Sequence, residues 1–329
     1  MGTTRRTRAL LRLFGLAGVA GTAALAACAP IETSSTDDDN AGGRIVFARA
    51  GGEYGDETIF IAGTDGSDEA ALIEPGSGCC ASVSPDGSTV LFLENSAWPL
   101  MSSTIPVRGG EITRLASPDE TMSFVAQAWS PDGARIALEG WDDADASRNG
   151  AYSSTYPDGT GLVRISTARD GAHDIPADYS PDGTELVIYR ASIDGEWDQG
   201  GTLAIAQADG SGVRDLPTPG VTPSWWVRWS PDGERLLFAT GRMQGAGALW
   251  TIRPDGSDLT ALYRAPEGMY PITPVWSPDG THILFALNPE ENEWAHPVNE
   301  VHLIPASGGE PERQFGGDGF QRRFDWITG

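Results

Sequence analysis

The chain has no lysine: all 22 basic residues among its 329 are arginine. That excludes chemistry built on a lysine amine, such as a Schiff base or a phosphate-cradling P-loop. Set against 46 acids, the arginines leave a net charge of −24. Phosphate would be repelled over the whole surface, so nucleic acid is not an expected partner. Histidine and cysteine are scarce, with four and three copies. His173, His282, His296 and His302 show no paired ligand spacing, and no zinc site is expected. No G-x-S-x-G occurs, which removes the nucleophile elbow of an α/β-hydrolase. What is abundant is glycine and proline, 42 and 23 residues, and these favour many tight turns over long helices.

The first 27 residues carry four arginines (Arg5, Arg6, Arg8, Arg12) and no acid, and residues 13–27 are uncharged and small or apolar. Fifteen residues rise about 22 Å as a helix, short of a hydrocarbon core of roughly 30 Å, so this is expected to be a cleavable signal peptide. The segment ends Leu25-Ala26-Ala27-Cys28. That tetrapeptide resembles the lipobox of bacterial lipoproteins, and the resemblance implies that Cys28 receives a diacylglyceryl group and becomes the new N-terminus. Residues 28–43 follow as the lipidated cysteine and an acidic, disordered tether. Past residue 27 the remaining 18 arginines face all 46 acids, a net charge of −28.

Internal repetition is the strongest signal. Ser-Pro-Asp-Gly begins at Ser84, Ser130, Ser180, Ser230 and Ser277, with Trp129, Tyr179, Trp229 or Trp276 just before four of the five. A degenerate sixth copy closes the chain at Trp326–Gly329. Serine, proline, aspartate and glycine in that order suit a type I turn followed by a left-handed glycine. An apolar strand follows each motif, as at Val90–Phe92 or Leu236–Phe238, and each unit holds a second hairpin turn, such as Asp65-Gly66 or Asp255-Gly256. Four strands per unit and six units predict an all-β, six-bladed β-propeller of four-stranded antiparallel blades over residues 44–329. The ring is expected to close through the N-terminal strand 44–49 joining the last blade, alongside strands from residues 281–328.

Repeated W-S-P-D-G followed by an apolar strand and then D-G-S resembles the WD-like repeats of the TolB-type β-propeller. The likeness implies the propeller only. Residues 29–43 leave no room for the N-terminal α/β domain of TolB, so its role with an outer-membrane lipoprotein partner is not expected to carry over. A lysine-free chain with a lipobox also resembles envelope proteins of high-GC Gram-positive bacteria.

Both stereotyped turns fall on one face of such a ring and the irregular loops on the other, where function is usually carried. Those loops hold Tyr54, Trp98, Trp141 with Asp142 and Asp143, Trp197, and Trp294; the inter-blade loops add Trp225, Trp226 and Tyr270. An acidic, aromatic-rimmed surface there would suit a sugar or cationic ligand, or a protein partner. The alternative is that the tryptophans cap blade tops and the acids solvate the protein. Trp129, Trp229, Trp250, Trp276 and Trp326 belong to the repeat and are assigned to the core.

Cys79 and Cys80 are adjacent. They form either a strained vicinal disulfide or two buried thiols filling a small gap. Asp143, Asp145 and Ser147 have the odd-numbered ligand spacing of an EF-hand loop, but Arg148 stands where glycine is needed and Ser154 where a bidentate glutamate belongs. Only a weak Ca²⁺ site at Asp142, Asp143 and Asp145 is left, and no cofactor or other metal is expected.

These observations converge on a monomeric, exported, lipid-anchored propeller, held on the extracytoplasmic face of the cell membrane. It is expected to bind an envelope protein or glycan. The alternative is a propeller enzyme, a glycoside hydrolase or lyase acting on envelope or extracellular carbohydrate, since 46 acids supply ample carboxylate pairs.

Overall fold

Each Ser-Pro-Asp-Gly segment folds into the same locally determined turn. In the second copy Gly133 N–H donates to the Ser130 carbonyl at 2.8 Å and Ser130 N–H to the Arg135 carbonyl at 2.9 Å. The Ser130 hydroxyl donates to Asp132 at 2.6 Å, and that carboxylate also accepts the Ala134 N–H. Gly133 has φ +68°, the left-handed conformation that favours glycine. Serine-to-aspartate bonds of 2.5–2.7 Å recur in the other four copies.

In a computed structural model, residues 43–50, 57–94, 101–169, 172–192, 200–241, 247–289, 299–316 and 319–328 are described. The chain begins with β1 (Arg44–Ala50), β2 (Glu57–Gly63) and β3 (Ala70–Ala71). Four complete blades follow the same plan: β4 (Gly78–Val83) to β7 (Thr113–Arg114) through β5 (Thr89–Glu94) and β6 (Met101–Pro106); β8 (Ser123–Trp129), β9 (Arg135–Trp141), β10 (Gly150–Thr155) and β11 (Val163–Arg164); β12 (Ala172–Tyr179), β13 (Glu185–Ser192), β14 (Thr202–Gln207) and β15 (Val213–Leu216); β16 (Pro223–Trp229), β17 (Leu236–Thr240), β18 (Ala248–Ile252) and β19 (Thr260–Arg264). A fifth is built of β20 (Met269–Trp276), β21 (His282–Pro289), β22 (Glu300–Pro305) and β23 (Glu312–Gly316), and the last strand is β24 (Phe320–Ile327).

All six sheets have four strands, joined antiparallel. The strands that precede the motifs (β4, β8, β12, β16, β20 and β24) are innermost, each packed against the next around the ring. Closure departs from expectation in one respect. β1 does pair with the C-terminal strand, Ile45 opposite Trp326. But the closing blade takes only β24 from the C-terminal end and β1 to β3 from the start, in the order β24-β1-β2-β3. The strands over 282–316 complete a separate blade with β20, because a motif's inner strand pairs with the apolar strand that follows its own turn.

Blades pack face to face, which is why their strands are buried on both sides rather than on alternate residues. One interface joins Val187, Tyr189 and Ile205 to Val227, Leu236 and Phe238; another joins Val46, Ile59 and Ile61 to Val83, Val90 and Phe92. Each such side chain contributes roughly 1.5–3 kcal/mol on burial.

Candidate functional site at the mouth of the central channel

The inner strands are not regular. Each carries a register shift against its second strand, for example between Cys79 and Ser82 in β4 and between Pro176 and Asp178 in β12. A bulge of this kind re-aims the side chains that follow it. The second residue before each motif serine, or its equivalent in the last copy, thereby lies beside the channel. This is the variable position of an otherwise repeated segment, occupied in turn by Ser82, Ala128, Asp178, Arg228, Val275 and Asp325.

On the stereotyped-turn face these residues line a cavity of about 270 Å³, together with the repeat tryptophans Trp129, Trp229, Trp276 and Trp326. Polar groups fix its wall. Asp325 accepts the Val83 N–H at 2.9 Å and the Ser82 hydroxyl at 3.2 Å, tying the last inner strand to the first complete blade. Asp178 accepts the Trp229 N–H at 2.9 Å, with the Arg228 guanidinium 3.8 Å away. Burial pushes the Asp178 carboxyl up to about 6, against the opposing pull of Arg228 and the Trp229 N–H. Trp129 donates its indole N–H to the Ser82 carbonyl at 3.3 Å. The result is a funnel with an aromatic collar, two carboxylates and one guanidinium. The collar residues serve as core and as rim at once: Trp129, Trp229 and Trp276 are buried and still border the cavity.

The sequence assigns its candidate binding residues to the opposite face. Tyr54, Trp98, Trp197, Trp294 and Cys28 lie outside the described residues, as does the side chain of Trp225. Those that are described do not form an exposed aromatic rim. Trp141 is 4% exposed and packs with Cys79, Leu93 and Val125 between two blades. Tyr270 is 9% exposed and packs, with Trp226 beside it, in the cluster between the fifth and closing blades. Asp143 is exposed, but Asp142 is buried. Asp142 accepts the backbone N–H groups of Ala144 and Asp145, and the Arg148 guanidinium lies 2.7 Å from its other oxygen. Asp145 caps the short 3-10 turn 146–148. The loop thus uses these carboxylates on its own backbone and on Arg148. No group of three histidine, cysteine or acidic residues able to hold a metal ion occurs among the described residues.

Two polar features escaped the sequence reading. One is the trio Asp178, Arg228 and Asp325; its only signal was the variability of a single position within the repeat. The other is a buried pair across two blades, His173 in β12 and Glu139 in β9, with Nδ1 and the carboxylate 3.0 Å apart. Glu139 replaces the apolar residue found at the matching place in other blades, such as Leu93 or Tyr189.

The fold is shared with TolB. The crystal structure of TolB from Acinetobacter baumannii superposes with a TM-score of 0.64 over 87% of this chain and 66% of that one, at 15% identity. A putative TolB from Agrobacterium tumefaciens matches with a TM-score of 0.61, 19% identity, and coverage of 84% and 91%. The crystal structure of an oligogalacturonate lyase from Vibrio parahaemolyticus superposes with a TM-score of 0.52, 11% identity, and coverage of 84% and 82%. In sequence, 115 residues are 31% identical to an uncharacterized peptidase, YuxL, of Bacillus subtilis; they make up 35% of this chain and 17% of that protein. No family model matches. The domain is therefore a six-bladed propeller of the TolB type.

Proposed function

We propose that this chain is an exported protein, anchored by lipid at Cys28, whose propeller is an interaction module on the extracytoplasmic side of the cell membrane. One observation carries the reading: Asp178, Arg228 and Asp325 occupy the variable position of a repeated motif, at the rim of one cavity. A charge pair of mixed sign set in an indole collar suits a polypeptide loop, since tryptophan and arginine supply much of the binding energy at protein interfaces. The net charge favours a partner with a basic segment.

Retention from envelope extracts tests it, comparing the full chain with Arg228→Glu and Asp325→Asn variants that melt at the wild-type temperature. A protein held by the wild type and lost by the variants supports a partner at the channel mouth. Equal retention removes that site.

The second reading, an enzyme acting on carbohydrate, draws on the buried His173–Glu139 pair, because a carboxylate-oriented imidazole is a recurrent general base. Turnover of a polysaccharide panel that disappears in His173→Gln would favour it over the interaction module.

A further inference from the structure

Successive side chains of a strand point to opposite faces, which would part the sulfurs of two adjacent cysteines. In β4 they are brought together. Cys80 sits in the bulge with φ +64°, and its Sγ lies 2.6 Å from that of Cys79. No disulfide joins the two in this structure. Thr273 and Arg323 hold the same place in their own inner strands, three residues before the motif tryptophan, also at positive φ. The left-handed bulge is thus a recurrent device of this ring, and only in β4 does it carry two cysteines. The two thiols also differ in setting. Cys79 is buried among Leu93, Val125 and Trp141, whereas Cys80 is half-buried. The Arg323 guanidinium of the neighbouring inner strand β24 bears on Cys80.

We propose that Cys79 and Cys80 form a thiol–disulfide exchange site, in which Cys80 attacks an incoming small-molecule disulfide, Cys79 resolves the mixed disulfide, and Arg323 positions the attacking sulfur. The Cys80 thiolate forms a bond to one sulfur of the incoming disulfide and expels the other as a thiolate. Cys79 then gives up its proton to solvent and attacks Cys80 Sγ, expelling the second thiolate. The protein loses two electrons and ends with a vicinal disulfide; the reagent gains them and ends as two thiols. The asymmetry of the pair supports this order. The hydrogen bond from Cys79, together with the Arg323 charge, holds the Cys80 thiol below its ordinary range. Cys79 is held above its own, by the bond to Cys80 and by burial. Nothing in this step depends on what the channel mouth binds.

The test is the reaction of the full chain, carrying Cys28→Ser so that only the pair remains, with 5,5′-dithiobis(2-nitrobenzoate), followed by intact-mass measurement. Two thionitrobenzoate ions should be released per chain, with no adduct retained and a mass lower by about 2 Da for two lost hydrogens. Cys79→Ser should release one ion and keep one adduct. Cys80→Ser should react about tenfold more slowly than Cys79→Ser while folded, and at the same rate in urea, where burial and Arg323 no longer act. Arg323→Gln should slow the first release severalfold and Arg323→Lys restore it. A stable adduct on the intact pair, disulfide-linked dimers, or Cys80→Ser reacting as fast as Cys79→Ser would each overturn the proposal. So would a failure of the folded chain to react when the same chain reacts in urea. An unchanged rate in Arg323→Gln would remove Arg323 from it.

Discussion

Gly87, in the first Ser-Pro-Asp-Gly turn, lies against the carbonyl of Thr328 near the end of the chain: a Cβ placed on it would stand 1.6 Å from that oxygen. The Thr328 hydroxyl returns a hydrogen bond to the Pro85 carbonyl at 3.1 Å. In the next blade the same glycine, Gly133, has only the Pro85 ring near it, at 3.8 Å. The ring of turns is therefore loosely stacked between ordinary blades and tightly locked where the two ends of the chain meet.

Gly87→Ala should accordingly cost far more than Gly133→Ala, although both glycines have nearly the same φ, +69° and +68°. The second change carries only the left-handed penalty of about 1–2 kcal/mol. The first adds a backbone collision that the closing strand must move to relieve. Urea unfolding of the two variants measures the difference; equal losses would show that the closure is not locked there.

Asp178 gives the channel mouth a pH dependence of definite sign. Its folded pKa of about 6 lies above the ordinary 3.8, so between those values the native state holds a proton that the unfolded chain releases. Its contribution therefore weakens as pH rises through that window. Asp178→Asn should remove this component, leaving the variant relatively more stable than wild type at pH 7 than at pH 4. Chemical-denaturation midpoints at the two values report it.

The turn aspartates act in the opposite sense. The Ser277 hydroxyl and the Thr281 N–H hold the Asp279 carboxyl down to about 2, and Ser130 with the Ala134 N–H lowers Asp132 likewise. Stability from Asp279 is present above pH 3.8 and is lost as pH falls toward 2. Asp279→Asn should lower the melting temperature at pH 7, and the gap to wild type should narrow as pH falls to 2.5.

A buried ion pair offers a sharper test of packing. Arg190 Nε lies 3.1 Å from Asp174 Oδ1, with the aspartate side chain wholly buried. Burial raises the Asp174 carboxyl despite the guanidinium and the Ser166 hydroxyl. Arg190→Met should destabilise by about 3 kcal/mol, because it removes the guanidinium paired with that buried carboxylate. Adding Asp174→Asn should recover part of the loss, and a double-mutant cycle in urea separates the terms.

The blade plan could be read from the sequence because its determinants are local. Serine, aspartate and glycine of one motif satisfy one another within six residues, and the apolar run that follows has nowhere to go but back along the inner strand. The burial of Trp141 and Tyr270 could not be read in this way. Both sit among loop residues in the sequence, yet Trp141 meets Cys79 from another blade and Tyr270 meets the closing blade. Composition marks an aromatic residue as sticky; only the neighbouring blade decides whether it is covered.

From the sequence alone came six repeats, their turns, the four-stranded blades and the need for the two ends to meet. These follow from short-range hydrogen bonding within each turn and from the apolar run that comes after it. Tertiary structure alone decided which strands share the closing blade, that the inner strands bulge, and that Asp178, Arg228 and Asp325 border one cavity. It also decided that Cys80 turns toward Cys79 beside Arg323. The closing pair Ile45–Trp326 and the bonds from Asp178 to Trp229 and from Asp325 to Ser82 join residues 51 to 281 positions apart in the chain. The packing of blade on blade sets such distances, and no local pattern in the sequence encodes them.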